Sequence, residues 1–360
     1  MINKKFILFV SILLLFCGLV NYFCIKPSEL NLKFYKTYEI KNVPNLGHGF
    51  KLGGFSDLFF YKDKLYAITD RGPNTNIYNK SNRDIRNFPL GKEYKPFLVE
   101  FDLLDDGEAK ISKTRNFELS GLPVSEEKDC VPCDINDKEM PFDNAGIDSE
   151  ALVVDKNGHF WVGDEYYPSI VEFDKNLKVI NRFAPKNCPY KSDKTVYNLP
   201  EEFNNTQKNL GFESIAYDGD KTIYAFTQAP LKDGRNVKVI KFNIDTKNVE
   251  KVYDYYIGEG KNIISAATCI SKNEIITAER RDGEHQIRII KLIPNITNHS
   301  NFVFMLKGLH NIKDGNKIEG IAYDGKDTIY IVNDNDFGID EDNRQDSFIM
   351  AFKIQNKKTK

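Results

Sequence analysis

Glu213-Ser-Ile-Ala-Tyr-Asp-Gly-Asp-Lys-Thr-Ile-Tyr-Ala-Phe-Thr227 consists of two apolar runs joined by an Asp-Gly turn, the pattern of a β-hairpin with a short loop. Each run is apolar at consecutive positions, so both faces of each strand need cover. The pattern recurs, always with fourteen positions from first residue to last: Ser56 to Asp70, Glu150 to Asp164, Glu319 to Asn333 and, in weaker form, Ser265 to Glu279. A hairpin repeated along the chain and buried on both faces calls for sheets stacked on one another around an axis. Two separate β-sandwiches would also yield many short strands, but not a recurring hairpin of constant length.

The unit starts are spaced by 94, 63, 52 and 54 residues. The first interval is wide enough to hide one degenerate unit, around Phe97-Leu-Val-Glu-Phe-Asp102 through Phe117-Glu-Leu119. The expectation is therefore all-β, a six-bladed β-propeller of four-stranded blades. Ser347 to Ile354 would close the last blade, with Leu32 to Ile40 adding a strand to it and sealing the ring.

With 360 residues, 41% of them hydrophobic, the chain can bury a large core, which excludes disorder. Its net charge of −2 supplies no field to attract nucleic acid or anionic lipid. The first residues differ from the rest: Lys4 and Lys5 precede an apolar run from Phe6 to Ile25, read as a signal peptide or an uncleaved membrane anchor over residues 1–27. In both readings the remainder lies outside the cytoplasm, periplasmic or secreted. There an oxidising environment favours a disulfide involving Cys130 or Cys133, with Cys188 as a candidate partner and Cys269 the other cysteine of the exported part.

In each hairpin the first and last residues lie at the same end. This gathers Ser56 with Asp70-Arg71, Glu150 with Asp164-Glu165, Glu213 with Thr227-Gln228, Ser265 with Glu279-Arg280, and Glu319 with Asn333-Asp334 and nearby Asp336 onto one mouth. Crowded carboxylates repel unless they are protonated, paired or bridged by a cation. Calcium suits such an oxygen-rich set, whereas the five scattered histidines show no pattern for zinc or copper. The bland reading is that each acid caps a turn or bonds to a neighbouring blade. Lys62, Lys64, Lys156, Lys221 and Lys272 fall in the opposite turns.

Several segments resemble the phytase-like family of exported proteins, known for an esterase-like activity of phytase. They are Gly53-Gly-Phe-Ser-Asp57 with Ile68-Thr-Asp-Arg-Gly-Pro73, Asp148-Ser-Glu-Ala151 with Trp161-Val-Gly-Asp-Glu-Tyr166, Asn209-Leu-Gly-Phe-Glu213 with Gln228-Ala-Pro-Leu231, and Lys317-Ile-Glu-Gly320 with Asn333-Asp-Asn-Asp-Phe-Gly338. The resemblance implies a propeller over residues 28–360 and hydrolysis of a phosphate or carboxylate ester by water beside a metal. On this reading Asp70, Glu150, Asp164, Glu165, Glu213, Glu319, Asp334 and Asp336 are metal ligands, with calcium as cofactor. Glu213, Glu319 and Glu150 serve catalysis, and Arg71 grips a small anionic or ester substrate. A monomer is expected, touching no nucleic acid and meeting a membrane only through residues 6–25. The alternatives are a non-enzymatic binding propeller with structural calcium and a gluconolactonase-like lactonase. A serine hydrolase is not supported, because Gly54-Phe-Ser-Asp-Leu58 lacks the second glycine of a nucleophile elbow.

Overall fold

The computed structural model describes residues 31–77, 84–126, 130–232, 234–257, 263–272, 274–281, 284–291, 299–305, 317–339 and 346–355; the expected signal or anchor lies outside them. Among the described residues the fold is all-β, with three short 3-10 turns and no α-helix.

Each hairpin read from the sequence is present and opens a sheet. Phe55–Tyr61 and Lys64–Thr69 continue into Phe97–Leu103 and Glu108–Asn116, forming sheet I. Sheet II runs Ser149–Val154, Phe160–Asp164, Ser169–Phe173, Val179–Pro185, with Thr195–Leu199 added in parallel. Sheet III runs Phe212–Tyr217, Thr222–Thr227, Val237–Asn243, Asn248–Tyr255, and sheet IV runs Ile263–Ser271, Glu274–Arg281, Glu284–Lys291, His299–Met305. Sheet V runs Lys317–Tyr323, Thr328–Asp334, Phe348–Gln355 and is completed by Asn31–Lys41, the N-terminal strand expected there.

The first strands of the five sheets touch in cyclic order, I to II, II to III, III to IV, IV to V and V back to I, so they line a closed ring. Sheets I and V are also joined at their outer edges, where Glu39–Lys41 pairs in parallel with Glu108–Lys110 to make one eight-stranded sheet. The architecture is β-propeller-like, and among the described residues it has five radial sheets. This corrects the expected sixth unit. Phe97–Leu103 and Glu108–Asn116 are the outer strands of sheet I, and the long first interval is filled by loops and a small three-stranded cap, Thr75–Ile77, Ile85–Asn87 and Val131–Cys133.

Apolar side chains fill the gaps between sheets, as two-faced strands require. Trp161, Phe183, Phe212 and Phe242 pack between II and III, and Phe117, Leu152, Val162 and Phe173 between I and II. The expected disulfide from Cys130 or Cys133 to Cys188 is not formed, because the three side chains are buried in three separate apolar clusters.

Closure of the ring depends on a tight contact between I and V. Asp57 is buried there, its carboxylate accepting the backbone N–H of Leu58 at 2.8 Å, Leu152 at 2.8 Å and Ile321 at 3.5 Å, and so tying three sheets together. Opposite it, a Cβ on Gly320 would come within 2.7 Å of the Leu58 nitrogen, so only glycine lets the strands approach this closely.

Candidate active site at the mouth of the ring

The same irregularity marks the first strand of every sheet. The pairing register slips at Ser56, Glu150, Glu213, Ser265 and Glu319, the residues that open the sequence units. A β-bulge leaves its extra residue out of the ladder and re-aims the side chain, a device common beside active sites. Three of the five bulge residues, Glu150, Glu213 and Glu319, come together from three sheets at one end of the ring.

A cavity of about 410 Å³ lies at that end. It is lined by the bulge residues Glu150, Glu213 and Glu319 and by Arg71, Glu165, Gln228, Arg280 and Asp334, each fifteen positions after a unit start. Asp70 and Asp336 also reach it. The residues fourteen positions on behave otherwise in the remaining units, because side chains alternate across a strand. Asp164, expected as a metal ligand, does not line the cavity. It is fully buried, accepts hydrogen bonds from Tyr190, from Ser169 Oγ at 3.0 Å and from the backbone N–H of Tyr166 at 3.1 Å, and lies 3.7 Å from Arg182. It holds sheet II's loops in place, as the bland reading of such acids anticipates.

Other side chains enter that the sequence reading gave no role: Asp148, Asn209, Lys317, Asn74, Asn76 and Arg86. Asp148 and Lys317 stand two positions before Glu150 and Glu319, but the bulges at those two residues break strand alternation, so no periodic signal in the sequence points to them. Arg71 donates to Asn209 Oδ1 at 2.7 Å and meets Asp148 Oδ2 at 3.0 Å; Asn209 in turn donates to Glu165 Oε2 at 2.5 Å. Oxygens of Asp148, Glu150 and Glu165 lie within 4.8 Å of one another.

The bases on the opposite wall are paired. Arg280 bonds Glu319 at 2.7 Å, and Lys317 bonds Asp336 at 2.6 Å with Asp334 at 3.6 Å. Burial works against the charge on Lys317, but Asp334, Glu319 and Asp336 outweigh it and raise its pKa. Burial also opposes the ionised form of Asp336, yet the adjacent Lys317 holds that carboxyl below its ordinary value.

The acids on the side of sheets II and III are less well served. Burial, then the charges of Asp148, Glu213 and Glu165, push Glu150 well above its usual range, and burial with Glu213 and Asp148 does the same for Glu165. Burial and the neighbouring Glu319 push Glu213 up to about 8. Glu165 and Glu213 are 3% and 2% exposed, and Glu165 Oε1 and Glu213 Oε2 receive no hydrogen bond. A buried acceptor left in this state is costly unless it holds a proton or meets a cation. The donor set is all oxygen, with carboxylates close enough to share one ion, and so it fits a hard divalent cation.

Residues 51–337 match the profile of the family described as Phytase-like, esterase-like activity of phytase. A secreted protein of Arthroderma benhamiae, whose activity is uncharacterised, is 23% identical over 155 residues; the match covers 36% of this chain and 28% of that relative. Among solved structures, the PQQ-bound aldose sugar dehydrogenase of Streptomyces coelicolor aligns at 10% identity over 91% of this chain and 99% of its own, with a TM-score of 0.43. The glutaminyl cyclase of Myxococcus xanthus aligns at 8% identity over 91% and 98%, with a TM-score of 0.46. Likeness this distant says nothing about activity.

Proposed function

Because this chain belongs to the phytase-like family, we propose that the cavity at the mouth of its ring is the active site of an extracytoplasmic, divalent-cation-dependent hydrolase of phosphate or carboxylate esters. The observation that carries this reading is the pair of buried, donor-less oxygens, Glu165 Oε1 and Glu213 Oε2, on side chains that line a polar cavity also holding bases. Asp148, Glu150 and Glu165 would hold the cation, calcium being the best match to an all-oxygen set. Such a cation, when bound, supplies Lewis-acid polarisation of an ester oxygen.

The remaining work belongs to the chain's own groups. Glu213, once ionised, accepts a proton from the attacking water as the ester bond breaks, and returns it to the departing alcohol. Arg280 holds Glu319 in place beside it. Arg71, fixed by Asp148 and Asn209, aligns Glu165 and presents its charge to the substrate. Asp164 keeps a scaffolding role in this account, while Asp70, Asp334 and Asp336 shape the field of the cavity.

Export is supported by the secreted relative and by the apolar N-terminal segment. The substrate is a small molecule, the working unit a monomer, and any membrane contact is confined to residues 6–25. Hydrolysis of p-nitrophenyl phosphate, phytate, p-nitrophenyl acetate and a γ-lactone by the purified chain, with and without EDTA, tests the reading. The expected result is chelator-sensitive turnover of a phosphate or carboxylate ester that falls at least about 100-fold in Glu213→Gln. No turnover of any ester, or turnover indifferent to both EDTA and Glu213→Gln, contradicts it; turnover of the lactone alone would make the protein a lactonase.

A further inference from the structure

Four bases line the cavity, and three of them face carboxylates: Arg71 is held by Asp148, Arg280 by Glu319, and Lys317 by Asp334 and Asp336. Arg86 is the exception. It comes from the cap, on the strand Ile85–Asn87, and its only side-chain partners among the described residues are neutral. Nε donates to Asn76 Oδ1 at 3.0 Å and NH1 donates to Asn74 Oδ1 at 3.0 Å. No carboxylate lies within ion-pair distance of it among the described residues, although seven acids line the same cavity.

The cap is built to hold this arginine in place. Ile85–Asn87 is the middle strand, paired antiparallel with Thr75–Ile77, which carries Asn76, and parallel with Val131–Cys133. Asn74 is itself anchored, donating to the Gly72 carbonyl at 2.8 Å. Gly72 has a φ of +96° and no room for a Cβ against the Tyr94 ring, so the chain turns tightly from the ring into the cap. An ion pair between Asp84 and Lys208 ties the cap to the connection between sheets II and III. The two asparagines occupy two of the five N–H donors of a guanidinium and orient it without neutralising it.

We infer that Arg86, oriented by Asn74 and Asn76, is a specificity-determining anion receptor: it binds a phosphate or carboxylate group of the substrate where the cap lines the cavity. This rests on reading the cavity as the substrate site. A fixed guanidinium with three donors to spare matches the oxygens of such a group in geometry as well as charge. The substrate class narrows accordingly, to esters that carry an anionic group besides the bond that is broken, or phosphoesters whose phosphate itself meets Arg86.

The test is calorimetric titration of the full-length chain, kept in EDTA, with inorganic phosphate and separately with succinate, in the wild type, Arg86→Gln, Arg86→Lys and Asn76→Asp. Arg86→Gln is expected to weaken binding about 10- to 100-fold, with Arg86→Lys intermediate because it keeps the charge but not the fork. Asn76→Asp should weaken binding comparably by giving Arg86 a carboxylate partner, and it leaves the arginine itself in place. A response to phosphate alone assigns a phosphate group, and a response to succinate alone assigns a carboxylate. Absence of binding in the wild type, or binding equal in the wild type and Arg86→Gln, overturns the inference. Chelation separates the outcomes: Arg86-dependent binding without any cation-dependent turnover would leave the anion receptor standing and remove the hydrolase.

Discussion

Glu213 shows at a single residue why the mouth needs a cation or protons. Its ordinary pKa is 4.5, and burial with the nearby Glu319 raises it to about 8. Between those values the unfolded chain has released the proton while the folded chain retains it, so stability falls as pH rises through this window and levels off above it. Acids pulled in the opposite direction, such as Asp174 held by backbone N–H groups and Glu250 held by Asn243 and Lys241, are lowered from their ordinary values and so act below it. The denaturation midpoint in EDTA is therefore expected to be lower at pH 8 than at pH 5, with Glu213→Gln flattening the difference. Calcium should restore the midpoint at pH 8 and do little at pH 5, because it competes with protons for the same oxygens. A midpoint that rises or stays level from pH 5 to 8 in EDTA would contradict this.

At the same scale, the sequence revealed some of the site and hid the rest for a definite reason. The unit starts Glu150, Glu213 and Glu319 were readable because they recur. The hairpin pattern places residues fourteen and fifteen positions later together at the mouth, yet strand alternation sends Asp164 into its own sheet while Glu165 lines the cavity. Asn209 and Arg86 lie in connections outside the repeat, and nothing periodic in the chain points to them.

The elements carry a second lesson. A hairpin buried on both faces is legible in a linear pattern, and all five were found. The number of sheets was not, because strands such as Phe97–Leu103 are equally apolar whether they open a sheet or lie in its outer half. Only pairing partners distinguish the two cases. The bulges are also invisible in the sequence, since a register slip leaves no compositional trace, yet they fall at Glu150, Glu213 and Glu319, which line the cavity.

The seam between sheets I and V makes a prediction at this level. Gly320→Ala places a methyl group against the Leu58 nitrogen and Asp57 backbone, and is expected to lower stability by about 1–3 kcal/mol through overpacking. Gly325→Ala is its control, having open space around the glycine but the strain of a positive φ. A smaller loss of denaturation midpoint for Gly320→Ala than for Gly325→Ala would show that the seam yields more easily than the geometry implies.

For the molecule as a whole, the net charge of −2 averages two unlike ends. The turns opposite the mouth do carry the lysines read there, and among them Lys272 and Lys156 meet Asp220 at 3.4 and 3.8 Å. Such exposed pairs add little stability, about 0–1 kcal/mol each. The mouth carries the imbalance, in a cavity where burial magnifies it. Five sheets closed into a ring thus bring together, from positions 70 to 336, acids that no local stretch of chain could hold so near one another.

The most direct test is calorimetric titration of calcium into the chelator-stripped chain at pH 9, above the value of about 8 to which Glu213 is raised, comparing the wild type with Glu150→Gln and Glu165→Gln. Saturable binding by the wild type that is lost or weakened at least about 10-fold in both variants is the expected result. No saturable binding by the wild type, or binding that both variants retain in full, would contradict the account.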